Sequence, residues 1–271
     1  MSNPQSTNFL EAIRLFELTQ IDDLLESKGH KGASILEIGA GTGWQARELF
    51  SRGYQVSAID IPSSNHSSAR IWPIMDFDGR HIPFPDASFD VVYSSNVLEH
   101  VEDLETLNRE MVRVLRPGGC AIHYVPTRAW RAWSLSAFYP SLLRDVWRRL
   151  FSPNVKQVPP GASENPANLL VASGNKQQRS LLQKVLRRLV PRAHGAEGSC
   201  WSELSRFARP SWDSYFTAAG WVVEEYRSNG MFLTGEMLMG ELLSTPLRTR
   251  LSKYLGSTAH LYVLKPSNSY E

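Results

Sequence analysis

Three glycines at alternate positions stand where an apolar run meets a helical pattern. Residues 35–50 begin with the apolar run, pass through Gly39, Gly41 and Gly43, and continue with helically spaced apolar residues. This pattern predicts a buried strand, a tight turn and the start of a helix. Glycine accepts positive φ and lets a ligand approach without meeting a Cβ atom. We expect the turn to present N–H groups at a helix N-terminus, which suits a nucleotide-like ligand at the edge of a parallel sheet.

The residues beside the turn indicate which ligand it takes. The dinucleotide fingerprint GxGxxG would need a glycine where Trp44 stands. Glu37, two positions before the first glycine, would repel a pyrophosphate and attract a cation. The run E-I-G-A-G-T-G resembles motif I, (D/E)xGxGxG, of the class I S-adenosylmethionine-dependent methyltransferases. The resemblance implies S-adenosylmethionine as the cofactor. It assigns cofactor contacts to Glu37, Gly39, Ala40, Gly41 and Gly43.

A carboxylate ends the next predicted strand, residues 54–59. Asp60 there can accept two hydrogen bonds from a ribose diol, as the corresponding acid does in NAD enzymes. The resembled family uses the acid after strand 2 in the same way. We therefore predict that Asp60 and the adjacent Ile61 contact the adenosine part of the cofactor.

Residues 76–93 carry the strongest resemblance. They read D-F-D-G-R-H-I-P-F-P-D-A-S-F-D-V-V-Y, which is similar to the D-x-x-x-L-P-F-x-D-x-S-F-D-V-V segment of ubiquinone/menaquinone-biosynthesis-type methyltransferases. The resemblance implies that Asp78 accepts a hydrogen bond from the adenine amine, with Asp76 as the alternative. It also implies that Phe77 or Ile82 packs on the adenine ring.

The loop after the fourth strand, residues 94–101, lies beside the methyl donor in the resembled fold. Ser95 and Asn96 are expected to contact the cofactor, and Asn96, Glu99 and His100 to position an acceptor. The near-neutral pKa of an ordinary histidine makes His100 a candidate general base. Alternatively, Glu99 and His100 only shape the loop. No cysteine and histidine cluster has metal-ligand spacing, so we predict no metal site.

The remaining pattern predicts the elements that hold these residues. Strands are expected at 33–38, 54–59, 71–75, 89–93, 120–125, 221–225 and 260–265. Helices are expected at 7–28, 44–52, 102–115 and 212–219. The fold class is α/β, and the resemblance implies a Rossmann-like, seven-stranded, mostly parallel sheet with helices on both faces and an antiparallel last strand. The proline in 71–75 argues for a sheet edge. We assign 1–126 and 211–271 to a methyltransferase domain and 127–210 to an insert.

The predicted insert is basic, whereas the rest of the chain is acidic. Residues 127–210 hold 14 Lys/Arg and 4 Asp/Glu, against 15 and 23 elsewhere. Apolar faces at 142–151 and 181–190 predict two amphipathic helices around a Pro, Gly, Asn and Ser-rich stretch. Three interpretations remain: a helical lid, a membrane-surface element suited to a lipid-linked acceptor, or a nucleic-acid-binding segment. The large apolar faces and the acidic remainder argue against nucleic acid.

Composition indicates the compartment. Of 271 residues 42% are hydrophobic, and two cysteines give no disulfide framework, which suits a reducing environment. Residues 1–8 lack the apolar core of a signal peptide, and no apolar run is long enough to span a membrane. We expect a cytoplasmic protein, with membrane association left open.

The reaction implied by the resemblance is an in-line SN2 methyl transfer to a small-molecule or lipid-linked acceptor. Because the sulfonium methyl is already activated, the protein mainly supplies proximity and alignment. Two other classes stay open: a non-catalytic S-adenosylmethionine-binding or membrane-docking protein, and a NAD-dependent oxidoreductase. Trp44 and Glu37 argue against the oxidoreductase. The acceptor, and whether it offers oxygen, nitrogen or carbon, is not predicted.

Overall fold

The chain folds around one seven-stranded sheet. The computed structural model describes residues 4–151, 191–234 and 243–267. The strands are β1 (Ser34–Ile38), β2 (Gln55–Asp60), β3 (Met75–Asp76), β4 (Phe89–Ser95), β5 (Leu115–Pro126), β6 (Trp221–Ser228) and β7 (Ala259–Pro266). Their order in the sheet is β3-β2-β1-β4-β5-β7-β6. β7 runs antiparallel to both β5 and β6, and the other pairs are parallel. The predicted fold class is confirmed.

Helices cover both faces of the sheet. They are α1 (Pro4–Ser27), α2 (Trp44–Ser51), α3 (Leu104–Val114), α4 (Arg128–Phe151), α5 (Glu203–Arg206), α6 (Arg209–Ala218) and α7 (Thr245–Leu255). Short 3₁₀ helices lie at Ser67–Ala69 and Leu98–His100. The predicted second insert helix, at 181–190, and the stretch before it lie outside the described residues.

Side chains of the central strands point alternately to the two faces of the sheet, and this divides the core into two layers. Ile35 points to the side covered by α1, where Leu18 and Leu25 are buried against it. Leu36, the next residue, points to the side covered by α3 and α6, among residues such as Met111. Successive residues of a strand face opposite sides, so a strand buried on both sides must be apolar throughout. This explains why β1 and β4 read as short continuous apolar runs.

Two predicted strands have different bounds in the structure. The third strand is only Met75–Asp76, although it lies at the sheet edge as the proline indicates. β5 begins at Leu115, where it pairs with Phe89 before a shift in register, instead of at the predicted residue 120. The register shift lets a Pro–Gly–Gly turn remain inside a strand, which the local sequence does not indicate.

The first insert helix is longer than predicted. α4 runs from Arg128 to Phe151 and passes through Pro140. Proline removes the N–H that would bond the Ser136 carbonyl. Serine hydroxyls near Pro140 bond other carbonyls of the helix. Ser136 Oγ donates to the Ala132 carbonyl at 2.9 Å, and Ser141 Oγ donates to the Phe138 carbonyl at 2.7 Å. Within the described residues, no helix is long and apolar enough to cross a membrane.

Candidate active site

The glycine turn connects β1 to α2 at the carboxyl edge of the sheet. Gly39, Gly41 and Gly43 have φ values of 71°, 59° and 79°. A Cβ atom on Gly39 would lie 2.4 Å from the Cγ2 atom of Val97, and one on Gly43 would lie 2.5 Å from the Cβ atom of Trp72. Both positions therefore need glycine for conformation and for space. The turn is packed on two sides, by the loop after β4 and by the segment before β3.

The sequence led us to expect free N–H groups in the turn. In the structure, those of Gly39, Ala40 and Gly41 are hydrogen-bonded within the protein. Gly39 and Ala40 donate to the Ile59 carbonyl at 2.9 and 3.1 Å. Gly41 donates to Asp60 Oδ2 at 3.0 Å. These N–H groups are already paired within the protein because β2 extends alongside the turn. The turn thus leads into the start of α2 with these three donors engaged within the protein.

Glu37 is the buried acid beneath the turn. Its side chain is nearly inaccessible, with 2% of the residue exposed, and Oε2 has no hydrogen-bond partner among the described residues. The carboxyl group accepts one backbone hydrogen bond from Ala46 in α2. Burial raises the pKa of Glu37 from 4.5 to about 8, although Arg14 opposes this increase. A free carboxylate oxygen at this place is suited to a cationic ligand.

Asp60 lies at the end of β2 with its carboxylate against the turn. Oδ2 accepts from the Gly41 N–H, and Oδ1 accepts from the Ile61 N–H at 2.8 Å. Each carboxylate oxygen has a second lone pair, so these bonds leave acceptor capacity. Ile61 is more than a third exposed beside it. The two residues are therefore placed together at the edge, where the sequence predicted an adenosine contact.

The loop after β4 is fixed by an arginine that sequence reasoning missed. Arg14 of α1 donates to Ser95 Oγ at 2.6 Å and pairs with Glu17 at 2.7 Å. The amide oxygen of Asn96, when turned toward this side chain, accepts from Arg14 at 2.7 Å. Asn96 itself has φ 53°. α1 thus packs on the sheet and also reaches the predicted cofactor residues Ser95 and Asn96.

The two aspartates predicted to contact the adenine amine already have partners within the protein. Asp78 is exposed, and its carboxylate accepts from the backbone of Arg80 and His81, both at 2.7 Å, and contacts the His81 ring. These bonds hold the pKa of Asp78 well below its usual range. Asp76 pairs with Arg70 at 2.8 Å. An adenine amine would have to compete with these partners, which the sequence does not reveal.

The two candidate ring-packing residues belong to the core. Phe77 and Ile82 are 9% and 3% exposed and lie in the same core layer as Leu98. Little of either side chain is free to cover an adenine ring. Ile61 is the more exposed apolar side chain at this edge. The roles of Phe77 and Ile82 remain predictions.

Glu99 and His100 meet a third side chain, His194, which comes from the end of the predicted insert. Glu99 Oε1 lies 3.8 Å from His100 Nε2 and 3.7 Å from His194 Nε2. The ring of His194 packs against those of His100 and Trp130 in edge-to-face geometry, at 4.8 and 4.7 Å between centroids. Burial lowers the pKa of His100, so its imidazole is neutral at pH 7.

A buried ion pair fixes the segment that carries His194. Arg131 Nε of α4 lies 2.7 Å from Glu203 Oε2 of α5. The other Glu203 oxygen accepts from the backbone N–H groups of His194 and Gly195, at 2.6 and 2.8 Å. Ala196 then donates to the carbonyl of Glu99 at 2.9 Å. The described ends of the insert thus pack onto the loop after β4.

A separate cleft lies toward the β7 and β6 side of the sheet. It has a volume of about 750 Å³ and is lined by Thr127, Trp133, Arg209, Tyr226 and His260, among others. None of the predicted site residues lines it. This cleft is therefore distinct from the edge that carries the glycine turn.

Comparison with protein families identifies the part of the chain that carries this edge. Residues 36–123 match the family described as "Methyltransferase domain". These residues are a methyltransferase domain. The class predicted from motif I, the S-adenosylmethionine-dependent methyltransferases of class I, is confirmed for this domain, with S-adenosylmethionine as its cofactor. The ubiquinone/menaquinone-biosynthesis type within that class stays a prediction.

Individual relatives share the methyltransferase domain. An uncharacterized methyltransferase of Mycobacterium sp. (strain JLS) is 38% identical over 99 residues, covering 34% of this chain and 38% of that protein. A malonyl-[acyl-carrier protein] O-methyltransferase of Serratia marcescens is 33% identical over 96 residues, covering 33% of this chain and 37% of that protein. The matched part is thus under two fifths of the length of these relatives.

Among solved structures, the chain is similar to an S-adenosylmethionine-dependent methyltransferase from Mesorhizobium loti. The TM-score is 0.46 with 17% identity, over 86% of this chain and 90% of that one.

The edge of the methyltransferase domain fits S-adenosylmethionine through the chemistry of one buried acid. Glu37 supplies a buried carboxylate with an unpartnered oxygen for a ligand that carries positive charge. Arg14 and His194 are the neighbours of this site that sequence reasoning missed, and both come from outside residues 36–123.

Proposed function

We propose that this protein is a methyltransferase that transfers the methyl group of S-adenosylmethionine, by in-line SN2 displacement, to a small-molecule or lipid-linked acceptor. The observation that carries the proposal is the unpartnered buried oxygen of Glu37 beside a glycine turn that Asp60 holds in place. When bound, the cofactor supplies a methyl group activated by positive sulfur. The chain contributes position, orientation and exclusion of water.

Each side chain at the edge then has a role. Glu37 balances the positive charge of the ligand. Gly39, Ala40, Gly41 and Gly43 give it a close backbone surface. Asp60 uses its remaining acceptor capacity on the ribose hydroxyls while it fixes the turn through Gly41. Ile61 covers one face of the base, with Asp78 and Phe77 as its further contacts.

The acceptor is expected beside the loop after β4. Asn96 is held by Arg14, and His100 lies in the same loop beside buried Glu99. A neutral His100 is able to take a proton from an acceptor, which supports it as the general base. The alternative, in which Glu99 and His100 only shape the loop, predicts that their removal changes stability more than turnover.

The basic insert supports a membrane-surface contact. α4 exposes four large apolar side chains at four-residue spacing, Tyr139, Leu143, Trp147 and Phe151, named here the α4 stripe. Residues four apart lie on one face of a helix, and a helix with such a face beside arginines is typical of membrane interfaces. A lipid-linked acceptor would be reached from that surface. Nucleic acid remains the least favoured partner.

The name of the Serratia relative suggests which acceptors to test first. Its name states O-methyl transfer to a malonyl group on an acyl carrier protein. For this chain, that supports testing oxygen nucleophiles of biosynthetic intermediates first.

The experiment is a turnover assay with labelled cofactor. Purified protein is incubated with methyl-labelled S-adenosylmethionine and either a lipid extract or a water-soluble metabolite extract, and released S-adenosylhomocysteine and labelled product are measured. We expect product that His100→Ala slows, while His30→Ala, on a loop at the opposite strand end, does not. Cofactor binding with no S-adenosylhomocysteine formed in either extract would favour the non-catalytic alternative.

A further inference from the structure

The side chains of Glu99, His100 and His194 converge at the end of β4. We infer that these three residues form a binding site for a divalent transition-metal ion. The ligand atoms that they offer all lie within 4.8 Å of one another. Two imidazole nitrogens and one carboxylate are a ligand set that Zn²⁺, Mn²⁺ and Fe²⁺ accept. Three protein ligands leave coordination positions open for a substrate.

The distances suit an ion better than a hydrogen-bonded cluster. Oε1 of Glu99 lies 3.8 Å from His100 Nε2 and 3.7 Å from His194 Nε2, and both separations are too long for hydrogen bonds. An ion about 2.0–2.2 Å from each ligand atom brings two such atoms to about 3.0–3.5 Å from each other. Side-chain rotations that shorten the Glu99 separations slightly, and the wider separations of up to 4.8 Å by about 1 Å, would complete the site.

The state of Glu99 is an independent indication. The residue is 5% exposed, and neither carboxylate oxygen has a hydrogen-bond partner among the described residues. Buried carboxylates are normally hydrogen-bonded, paired with a cation or bound to a metal. Its nearest cationic candidates are the two imidazoles. A metal ion at this point would satisfy the carboxylate and both rings together.

The third ligand is held in place by the protein around it. The backbone N–H of His194 donates to Glu203 Oε1 at 2.6 Å, and Trp130 packs on the imidazole. Glu203 is in turn fixed by Arg131. The backbone bond fixes the segment, and the indole limits where the ring can lie. His194 therefore approaches Glu99 from a supported segment.

The role of the ion rests on the proposed function. The cluster belongs to the loop that carries Asn96, on the acceptor side of the edge. A divalent ion there would make His100 a ligand in place of a general base, and it would lower the pKa of an acceptor hydroxyl, whose proton passes to solvent. The oxygen then forms the new O–CH₃ bond as the S–CH₃ bond breaks, and the sulfur leaves as a neutral thioether. The inferred substrate class is thus an oxygen nucleophile.

Cobalt titration tests the site without the cofactor. Untagged, metal-free protein is titrated with Co²⁺, and the visible absorption of the bound ion is followed. We expect one Co²⁺ per chain, displaced by Zn²⁺, with at least tenfold weaker binding in Glu99→Gln and in His194→Ala. The matched control is His30→Ala, which removes a histidine far from the cluster and should bind Co²⁺ like the wild type. Circular dichroism checks that each variant is folded.

Two results would overturn the inference. One is the absence of stoichiometric Co²⁺ and Zn²⁺ binding by the folded wild type. The other is binding that Glu99→Gln and His194→Ala both retain, because the ion would then lie elsewhere. Since no S-adenosylmethionine is present, failure here is distinguishable from failure of the proposed function, which a separate cofactor titration reports.

Discussion

Arg131 and Glu203 form an ion pair of 2.7 Å in the protein interior, where the two residues are 6% and 0% exposed. The pair joins α4, at the start of the predicted insert, to α5, near its end. Glu203 also binds the backbone of His194. One buried acid thus connects the insert to the segment that lies against Glu99.

Breaking this pair is expected to be costly. Removing one partner of a buried ion pair leaves an uncompensated charge, so Arg131→Met should lower the free energy of unfolding by about 3–5 kcal/mol. The double variant Arg131→Met/Glu203→Gln should recover part of that loss, because glutamine still accepts the N–H of His194. Urea unfolding measures both. Arg206, paired with Glu197 at the surface, is the control, and Arg206→Met should cost less than about 1 kcal/mol.

Gly39 tests the packing of the turn. An alanine at position 39 would place its Cβ atom 2.4 Å from the Val97 side chain, and it would also have to adopt a φ of 71°. Gly29 has a φ of 77° but open space, so Gly29→Ala isolates the conformational cost of about 1–2 kcal/mol. We expect Gly39→Ala to destabilise more than Gly29→Ala, and Val97→Ala to relieve part of the excess. Equal losses in the two glycine variants, measured by thermal unfolding, would argue against the close contact.

Glu37 should couple cofactor binding to pH. Because its pKa is raised to about 8 in the free protein, the carboxyl is protonated at pH 7. A cationic ligand favours the ionised form, so binding should release a proton and tighten as pH rises toward 8. Calorimetry in two buffers of different ionisation enthalpy measures the release. The Glu37→Gln variant should release no proton from position 37 on binding. The control is Glu105→Gln, which should behave like the wild type because the Glu105 side chain is 84% exposed.

The same pKa predicts the direction of the stability change. Between 4.5 and about 8 the folded protein holds a proton on Glu37 that the unfolded chain has lost. The contribution of Glu37 to the free energy of unfolding therefore decreases as pH rises through this window. The wild type minus Glu37→Gln difference, measured by urea unfolding at several pH values, should show this slope. A difference that is constant from pH 5 to pH 8 would contradict the assigned burial.

The α4 stripe predicts binding to anionic vesicles. Trp147→Ser should weaken vesicle association measured by sedimentation, because the ring loses its place in the interface. Trp201→Ser is a matched control, since Trp201 is 65% exposed against 61% for Trp147 but lies outside the stripe. The proposed membrane contact is wrong if both variants bind vesicles as the wild type does, or if the wild type does not bind them.

The parts of the fold set by local pattern could be predicted from the sequence. The glycine turn and the central apolar strands follow from spacing within a few residues, whereas the seven-stranded sheet with its antiparallel last strand was implied by the family resemblance and is confirmed. β5 was predicted to begin later, because its first residues pair with Phe89 across a register shift that only the folded sheet creates. The two-residue length of β3 likewise depends on how far β2 extends.

The neighbours of the site could not be predicted in the same way. Arg14 reaches Ser95 only because α1 packs across the sheet, and an arginine in an amphipathic helix looks like a solvated residue. His194 was missed, and a metal site was not expected, because the side chains that meet at Glu99 are far apart in sequence. The only local signal was the Glu99–His100 pair. Contacts of this kind follow from tertiary packing instead of from periodicity.

Calorimetric titration of the purified protein with S-adenosylmethionine and S-adenosylhomocysteine measures whether the edge beside the glycine turn binds the cofactor. We expect micromolar binding of both, at least tenfold weaker in Asp60→Ala and unchanged in Asp23→Ala, which alters an exposed aspartate of α1. NAD should not bind. If the folded wild type binds neither ligand, or binds NAD more tightly, the protein does not use S-adenosylmethionine as proposed.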